Sequence, residues 1–385
     1  MDFDHEVHLE HFQLRNLLSC ASRDHVFYAS KSKIIQWNPT SGTQGPKRVA
    51  MNLTNPSVQR LYGQVGGIQI STLSVAHDIL VTGGFSGEYA LVNLKARKGT
   101  KHTEGIVTNH QNSITNHVQV HLSRASLSPR VAIASNDNGM RILDVATNKF
   151  VADHGYDHAI NCTAVSPDQR LRVLVGDSRQ VMICNAETGE ILQSLEGHRD
   201  FGFACDWSDD GYTVATGNQD MQIKIWDARN WTTRQGLPCP VTTIAAEMAG
   251  VRKLKFSPVG SGKRVLVAAE PADIMSIIDA ETFQSKQRLS FFGEIGGFDF
   301  TDGGRDLIVA NCDSMRGGLM EFERCPSTSN SFYDMDDLLE NRNHKRLRGG
   351  AWRSSIEETT RHSSSSGSES RRGNTSLFGS QMGNF

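Results

Sequence analysis

The sequence predicts an all-β fold assembled from seven like repeats, followed by a disordered tail. Three observations predict it. A slot followed by a short polar acceptor recurs seven times along the chain. Between these marks lie short strands rich in Val and Ile, such as Val131–Ala134, Arg172–Val175, Val265–Ala268 and Leu307–Ala310. Finally, the chain holds 35 Gly and 17 Phe but only 10 Pro, a balance that suits many tight turns better than a fibre or a linker.

The order of the chain follows from these marks. With 385 residues, 38% apolar and 21% charged, it is long enough to bury a sizeable core. Residues 1–11 read as an N-terminal extension. Its His5, His8 and His11 stand three apart, with no fourth ligand marked, and read as solvated rather than metal-binding. The repeats fill residues 12–325. The slot is held by Trp37, Val92, Leu143, Cys184, Trp226, Ile278 and Phe322, spaced 55, 51, 41, 42, 52 and 44 residues apart. The acceptors after it are Asn38, Asn93, Asp144, Asn185, Asp227, Asp279 and Glu323. A turn closing each first strand is read at Leu127-Ser-Pro, Val165-Ser-Pro-Asp, Trp207-Ser-Asp-Asp-Gly, Phe256-Ser-Pro-Val-Gly and Phe300-Thr-Asp-Gly-Gly.

From Pro326 the composition changes. Residues 326–385 carry 13 serines in 60 positions, too few large apolar groups to offset chain entropy, and are expected to be disordered. Phe332–Leu339 is an acidic-apolar patch that could fold on a partner or cap the last repeat. His344–Arg348 is a short basic cluster, and the serines at 363–366 sit near Arg361, Arg371 and Arg372 as possible phosphorylation sites.

Several function classes are disfavoured. Basic and acidic side chains number 40 and 42, a net charge of -2, which argues against nucleic acid and anionic membranes as partners. The acidic start and the lack of a long apolar run point to a cytoplasmic or nuclear protein with no membrane span. Seven cysteines, none in a C-x-x-C pair, fit reduced thiols. Gly260-Ser-Gly-Lys263 fails the phosphate-loop spacing twice and reads as a hairpin turn. Gly84-Phe-Ser-Gly87 reads as a turn between strands, not a nucleophile elbow.

Residues 197–229 run from Gly-His through Ser-Asp-Asp-Gly to Ile-Trp-Asp and resemble a WD40 repeat. That resemblance implies a seven-bladed β-propeller, each repeat forming a four-stranded blade. It also implies a buried relay in which Asp220 accepts from His198, His198 bonds Thr216, and Thr216 bonds the Trp226 indole, an architectural rather than a catalytic set. The fourth repeat, with Val175 and Cys184, lacks the relay. The third keeps Ser135 and Asp137 but has Leu143, and the seventh lacks the set. These repeats are expected to rely on apolar packing. Residues 247–324 further resemble a fungal and plant group of WD-repeat proteins with a C-terminal region of unknown function, through Ala269-Glu-Pro-Ala-Asp, Phe291-Phe-Gly-Glu-Ile-Gly-Gly and Gly317-Gly-Leu-Met-Glu-Phe-Glu-Arg.

The resulting expectation is a non-enzymatic scaffold with no cofactor and no metal, binding proteins or peptides on its faces. Phe85, Asn136 and Gln219 precede turn acceptors and should project to a rim where partners bind. The resemblance also implies an alternative: in some WD40 proteins a Trp-Asp-x-Arg ending marks docking to the adaptor of a cullin ubiquitin ligase, so Arg229, in Trp226-Asp227-Ala228-Arg229, could make that bidentate contact and the protein would be a ligase substrate receptor.

Overall fold

The structure is a computed structural model, and it describes residues 5–41, 47–58, 66–97, 99–324 and 352–354. The expected patches at Phe332–Leu339, His344–Arg348 and 363–366 lie outside the described residues. Those described are β-strands, turns and two 3-10 turns, Pro39–Ser41 and Asp302–Gly304.

Each repeat is an antiparallel meander whose first strand is innermost. The inner strands are Leu18–Ser22, Ile70–Ala76, Thr115–Leu122, Ile160–Val165, Gly202–Trp207, Lys253–Phe256 and the second part of Lys286–Phe300. Consecutive inner strands pack against one another, and the last packs against the first, so the ring closes. Where seven separate sheets are expected, hydrogen bonding gives six: five of four strands and one of seven. The difference lies in Lys286–Phe300. Its first part pairs with Ala272–Asp279 and its second, from Ile295, pairs with Asp306–Asn311. One continuous strand thereby serves as outer strand of the sixth repeat and inner strand of the seventh. Gly293, at φ 123°, lies at the changeover.

The slot residues all lie on third strands. The polar residue after each slot shapes the next turn. Asn38 accepts the Thr40 N–H at 3.0 Å, Asn93 that of Lys95 at 2.9 Å, and Asn185 that of Glu187 at 2.9 Å. Asp227 and Asp279 do the same for Arg229 and Glu281, and Asp144 for Thr147. These are side-chain turns that explain why short Asn or Asp recurs there. Glu323 instead bonds Arg305 at 2.7 Å.

The core sits between sheets. Val173 and Ile183 of the fourth repeat pack with Trp207, Val214 and Trp226 of the fifth. Leu18, Tyr28 and Trp37 of the first pack with Leu73 of the second and Ile308 of the seventh. Burying side chains of this size contributes roughly 1.5–3 kcal/mol each.

Four expectations need correction. Leu127 does not end a first strand: that strand ends at Leu122, and Leu127 is exposed with φ 54° in the turn that follows. His5 is not solvated; it is buried, its Nδ1 lying 2.7 Å from the Tyr28 hydroxyl, while His8 pairs with Glu10. The third repeat does not rely on apolar packing alone, because Arg141 bonds both oxygens of Asp137 and also Ser135. The fourth buries Arg172, which reaches the third repeat at Gln119. In addition Trp352–Ser354, inside the segment expected to be tail, pairs with Gly318–Arg324 and gives the seventh repeat its fourth strand.

Candidate functional site

Inner strands all start at the end of the ring that carries the loops between repeats and the turns between second and third strands. This is the upper end. A register of side-chain clips along it follows from one bulged position. In the second, third and fourth repeats that position holds Ser71, Asn116 and Asn161. Ser71 donates to Thr115 O at 2.6 Å, Asn116 to Ile160 O at 3.0 Å and Asn161 to Gly202 O at 3.0 Å. Each side chain thus ties its repeat to the next. Deeper in the channel a second set does the same with acceptors. Ser19 accepts the Val75 N–H, Gln119 that of Val165, Asp206 that of Phe256, and Asp299 that of Cys20.

The upper register changes character at the fifth and sixth repeats, where Phe203 occupies the bulged position and Arg252 the equivalent place directly before the strand Lys253–Phe256. The Arg252 guanidinium lies over the Phe203 ring at 4.2 Å and gives one Nη2–H to Gln219 at 2.5 Å. Its Nε and Nη1 are buried without a hydrogen-bond acceptor among the described residues. Burial, with Arg15 nearby, pulls its pKa down to about 10.

The axis is polar. Its channel holds about 130 Å³ of free space and is lined by Arg15, Arg252, Lys253, Lys255, Asp206 and Asp299 among others, room for on the order of ten waters. Lys255 and Asp299 form an ion pair at 2.5 Å. Burial opposes the Asp299 charge, yet Lys255 and Lys253 beside it hold the carboxyl below its usual range. Lys253 donates to Asn16 at 2.6 Å, and burial lowers its pKa to about 8. Asp206 has no ion-pair partner at contact distance among the described residues, and burial pushes it up to about 7. The Cys162 thiol lies 3.7 Å from Cys205 O, beside His117.

Around the mouth of the channel the upper end exposes large apolar side chains. Phe12 precedes the first inner strand, Phe201 the fifth and Met248 the sixth. Phe292 lies at the changeover of the long strand, and Met221 and Met315 lie in turns between second and third strands. Phe292 is 65% exposed and Met315 88%, with the Arg316 guanidinium over the Phe292 ring at 5.8 Å. These side chains form an arc over the fifth, sixth, seventh and first repeats.

His198, Thr216, Asp220 and Trp226 meet in the fifth repeat. His198 Nδ1 lies 3.0 Å from Asp220 Oδ2, its Nε2 2.9 Å from Thr216 Oγ1, and the Trp226 indole donates to the same Oγ1 at 2.9 Å. Burial lowers the His198 pKa although Asp220 opposes the shift. A neutral imidazole donating from Nδ1 and accepting from the Thr216 hydroxyl satisfies every member. The four rim candidates do not come together. Gln219 is exposed at the upper end, where it supports Arg252. Asn136 is half-buried and bonded to Asn112 and Asn116. Phe85 is half-buried with the His11 ring 6.1 Å away. Arg229 lies at the opposite end, exposed, its fork on Asp227 and its plane over Tyr212 at 4.9 Å.

Sequence reasoning missed Arg252 and Phe203. The signal was Arg252-Lys-Leu-Lys255, three cations where an inner strand should be apolar or small. The Phe and Met arc carried no signal, because its members are scattered over 300 residues.

The WD domain, G-beta repeat family model matches residues 189–227. Its span starts at the turn before the fourth repeat's outer strand, Ile191–Leu195, and ends on the fifth repeat's third strand, so the sequence unit is staggered from the sheet. Protein HIR1 of Cryptococcus neoformans is 29% identical over 135 residues, covering 34% of this chain and 14% of HIR1. Intraflagellar transport protein 122 homolog of Homo sapiens is 32% identical over 19% of this chain and 6% of its own length. The chain therefore matches only a small part of these relatives. Uncharacterized protein C4G3.03 of Schizosaccharomyces pombe is 23% identical over 51% of this chain and 60% of that protein. A chain in the crystal structure of the mitotic checkpoint complex superposes with a TM-score of 0.64 at 18% identity, covering 83% of this chain and 89% of that one. With a closed ring of antiparallel sheets and a match to the WD40 repeat at its fifth unit, this chain has a β-propeller fold that carries a WD40 repeat.

Proposed function

We propose that the protein is a non-enzymatic scaffold that binds protein or peptide partners across its upper end. The observation carrying this reading is the arc of exposed Phe12, Phe201, Met248, Phe292 and Met315 around the channel mouth. Aromatic, Met and Arg side chains are the types enriched where proteins meet. Large exposed apolar groups gathered on one rim have no packing role. A ring clipped between repeats holds those groups in place, which lowers the entropy lost on association.

Random peptides displayed on phage and selected on the full chain test the reading. Selected peptides should lose binding by at least about tenfold against Phe292→Asp with Met315→Asp. They should bind normally to Leu127→Asp with Val259→Asp, at the opposite end. Peptides that ignore the first pair and respond to the second would overturn the assignment of the upper end.

Cys162 beside His117 is a nucleophile next to a base, so catalysis also needs a test. Both Cys162 and Cys205 are buried, and exposed Cys239 is not. Iodoacetamide should label Cys239 well before Cys162; rapid labelling of Cys162 at neutral pH would count against the non-enzymatic reading. Docking to a cullin-ligase adaptor remains a second reading because Arg229 is exposed at the lower end. It predicts that Arg229→Ala abolishes adaptor co-purification.

A further inference from the structure

Resting on the reading of the upper end as a peptide-binding surface, we infer that Arg252 at the channel mouth seats a carboxylate carried by an acidic side chain of the bound peptide. Arg252 is only 8% exposed and lines the axial channel. The face of its guanidinium is fixed by Phe203 and one edge by Gln219, while Nε and Nη1 have no acceptor among the described residues. A buried guanidinium leaves donors unmatched only at a cost, and a carboxylate is the acceptor whose charge and geometry match it.

The surrounding charges favour one negative group. The channel lining carries four cations, Arg15, Arg252, Lys253 and Lys255, against two carboxylates, Asp206 and Asp299. Lys255 is committed to Asp299. Arg15 gives its donors to Phe12 O and Ile295 O and has Glu294 at 3.7 Å. Asp200, the carboxylate acting on Arg252 from a distance, makes no ion pair with it and accepts the Phe201 N–H. The remaining excess is Arg252 and Lys253 against Asp206, a single positive charge.

The position also departs from the scaffold's own rule. Ser71, Asn116 and Asn161 use it to donate to a backbone carbonyl of the following repeat, whereas Arg252 reaches back to Gln219 and Phe203 of the preceding one and lines the cavity. Phe201 and Met248 on the adjoining loops frame the approach, so an acidic residue flanked by apolar ones is the sequence class this surface fits.

The full chain is titrated with sodium acetate against sodium chloride while the Arg252 Nε–H resonance is followed by NMR. A saturable shift of that resonance with acetate alone is expected, together with saturable shifts of neighbouring backbone amides that disappear in Arg252→Met. In the second arm, peptides selected on the full chain should be enriched in Asp or Glu. Changing that residue to Asn or Gln should weaken binding about tenfold, and the same change should have little effect on Arg252→Met. Gln219→Leu, which frees Nη2 but keeps the charge, should weaken binding less than Arg252→Met. Selected peptides with no acidic anchor, or unaffected by Arg252→Met, overturn the carboxylate seat and leave upper-end binding intact. No acetate response overturns the seat independently of any peptide. Peptides that bind only the lower end overturn the broader reading, while a positive acetate response would still stand.

Discussion

At the residue scale, burial decides which polar groups are structural. Thr216 accepts from Trp226 and bonds His198, so Thr216→Val strands two buried donors or acceptors. It should cost about 2–3 kcal/mol in urea unfolding, with near-native circular dichroism. Asp206 gives a pH-dependent case. Its folded pKa, about 7, lies above the ordinary value of 3.8, so the folded state binds the proton more tightly than the unfolded chain. Between about pH 4 and 7 the wild type therefore gains stability as pH falls and loses it as pH rises. Asp206→Asn keeps an acceptor for the Phe256 N–H and cannot ionise. It should be more stable than wild type at pH 8, by about 1 kcal/mol after discounting for water in the channel. That margin should shrink toward pH 4; a margin constant with pH would contradict the buried, raised carboxyl. His121 runs the other way. Burial first, and Arg172 second, lower it to about 3, so its share of stability fades as pH falls from about 6.5 toward 3.

At the element scale, the ring depends on strands that meet across repeats. Asp299 holds the Cys20 N–H, the Ser19 hydroxyl and Lys255 together, which joins the last inner strand to the first. Asp299→Ala should cost about 3–5 kcal/mol, since it also leaves Lys255 without its acid. Asp299→Asn should cost less, and equal losses for the two would argue against the ion pair. Gly297 lies in the same seam, and a Cβ there would stand 3.1 Å from Arg15 O and Leu17 N. Gly297→Ala should lower the melting temperature, because backbone on both sides cannot give way. The order of strands, the tight turns and the slot-and-acceptor pairs were legible in the sequence, because each depends on residues close in the chain. Leu127 was misplaced for the complementary reason. Leu127-Ser-Pro looks locally like Val165-Ser-Pro, and only pairing with Pro129–Ser135 shows that the strand ends five residues earlier, at Leu122.

At the scale of the whole molecule, binding is expected to follow the upper end, where rim side chains from four repeats surround a positively charged channel. The Phe292 and Met315 variants should therefore change affinity while leaving the unfolding midpoint close to wild type, since both side chains contribute little to the core. The sequence by itself determined the β class, the sevenfold repetition and the relay of the fifth repeat, because strand period, turn chemistry and a local motif are all short-range. Tertiary structure alone decided that two repeats share one strand, that His5 is buried, and that Arg252 faces a channel with Phe203 beneath it. Those facts arise from ring closure, which brings side chains distant in sequence to one axis and fixes which polar groups lose water there.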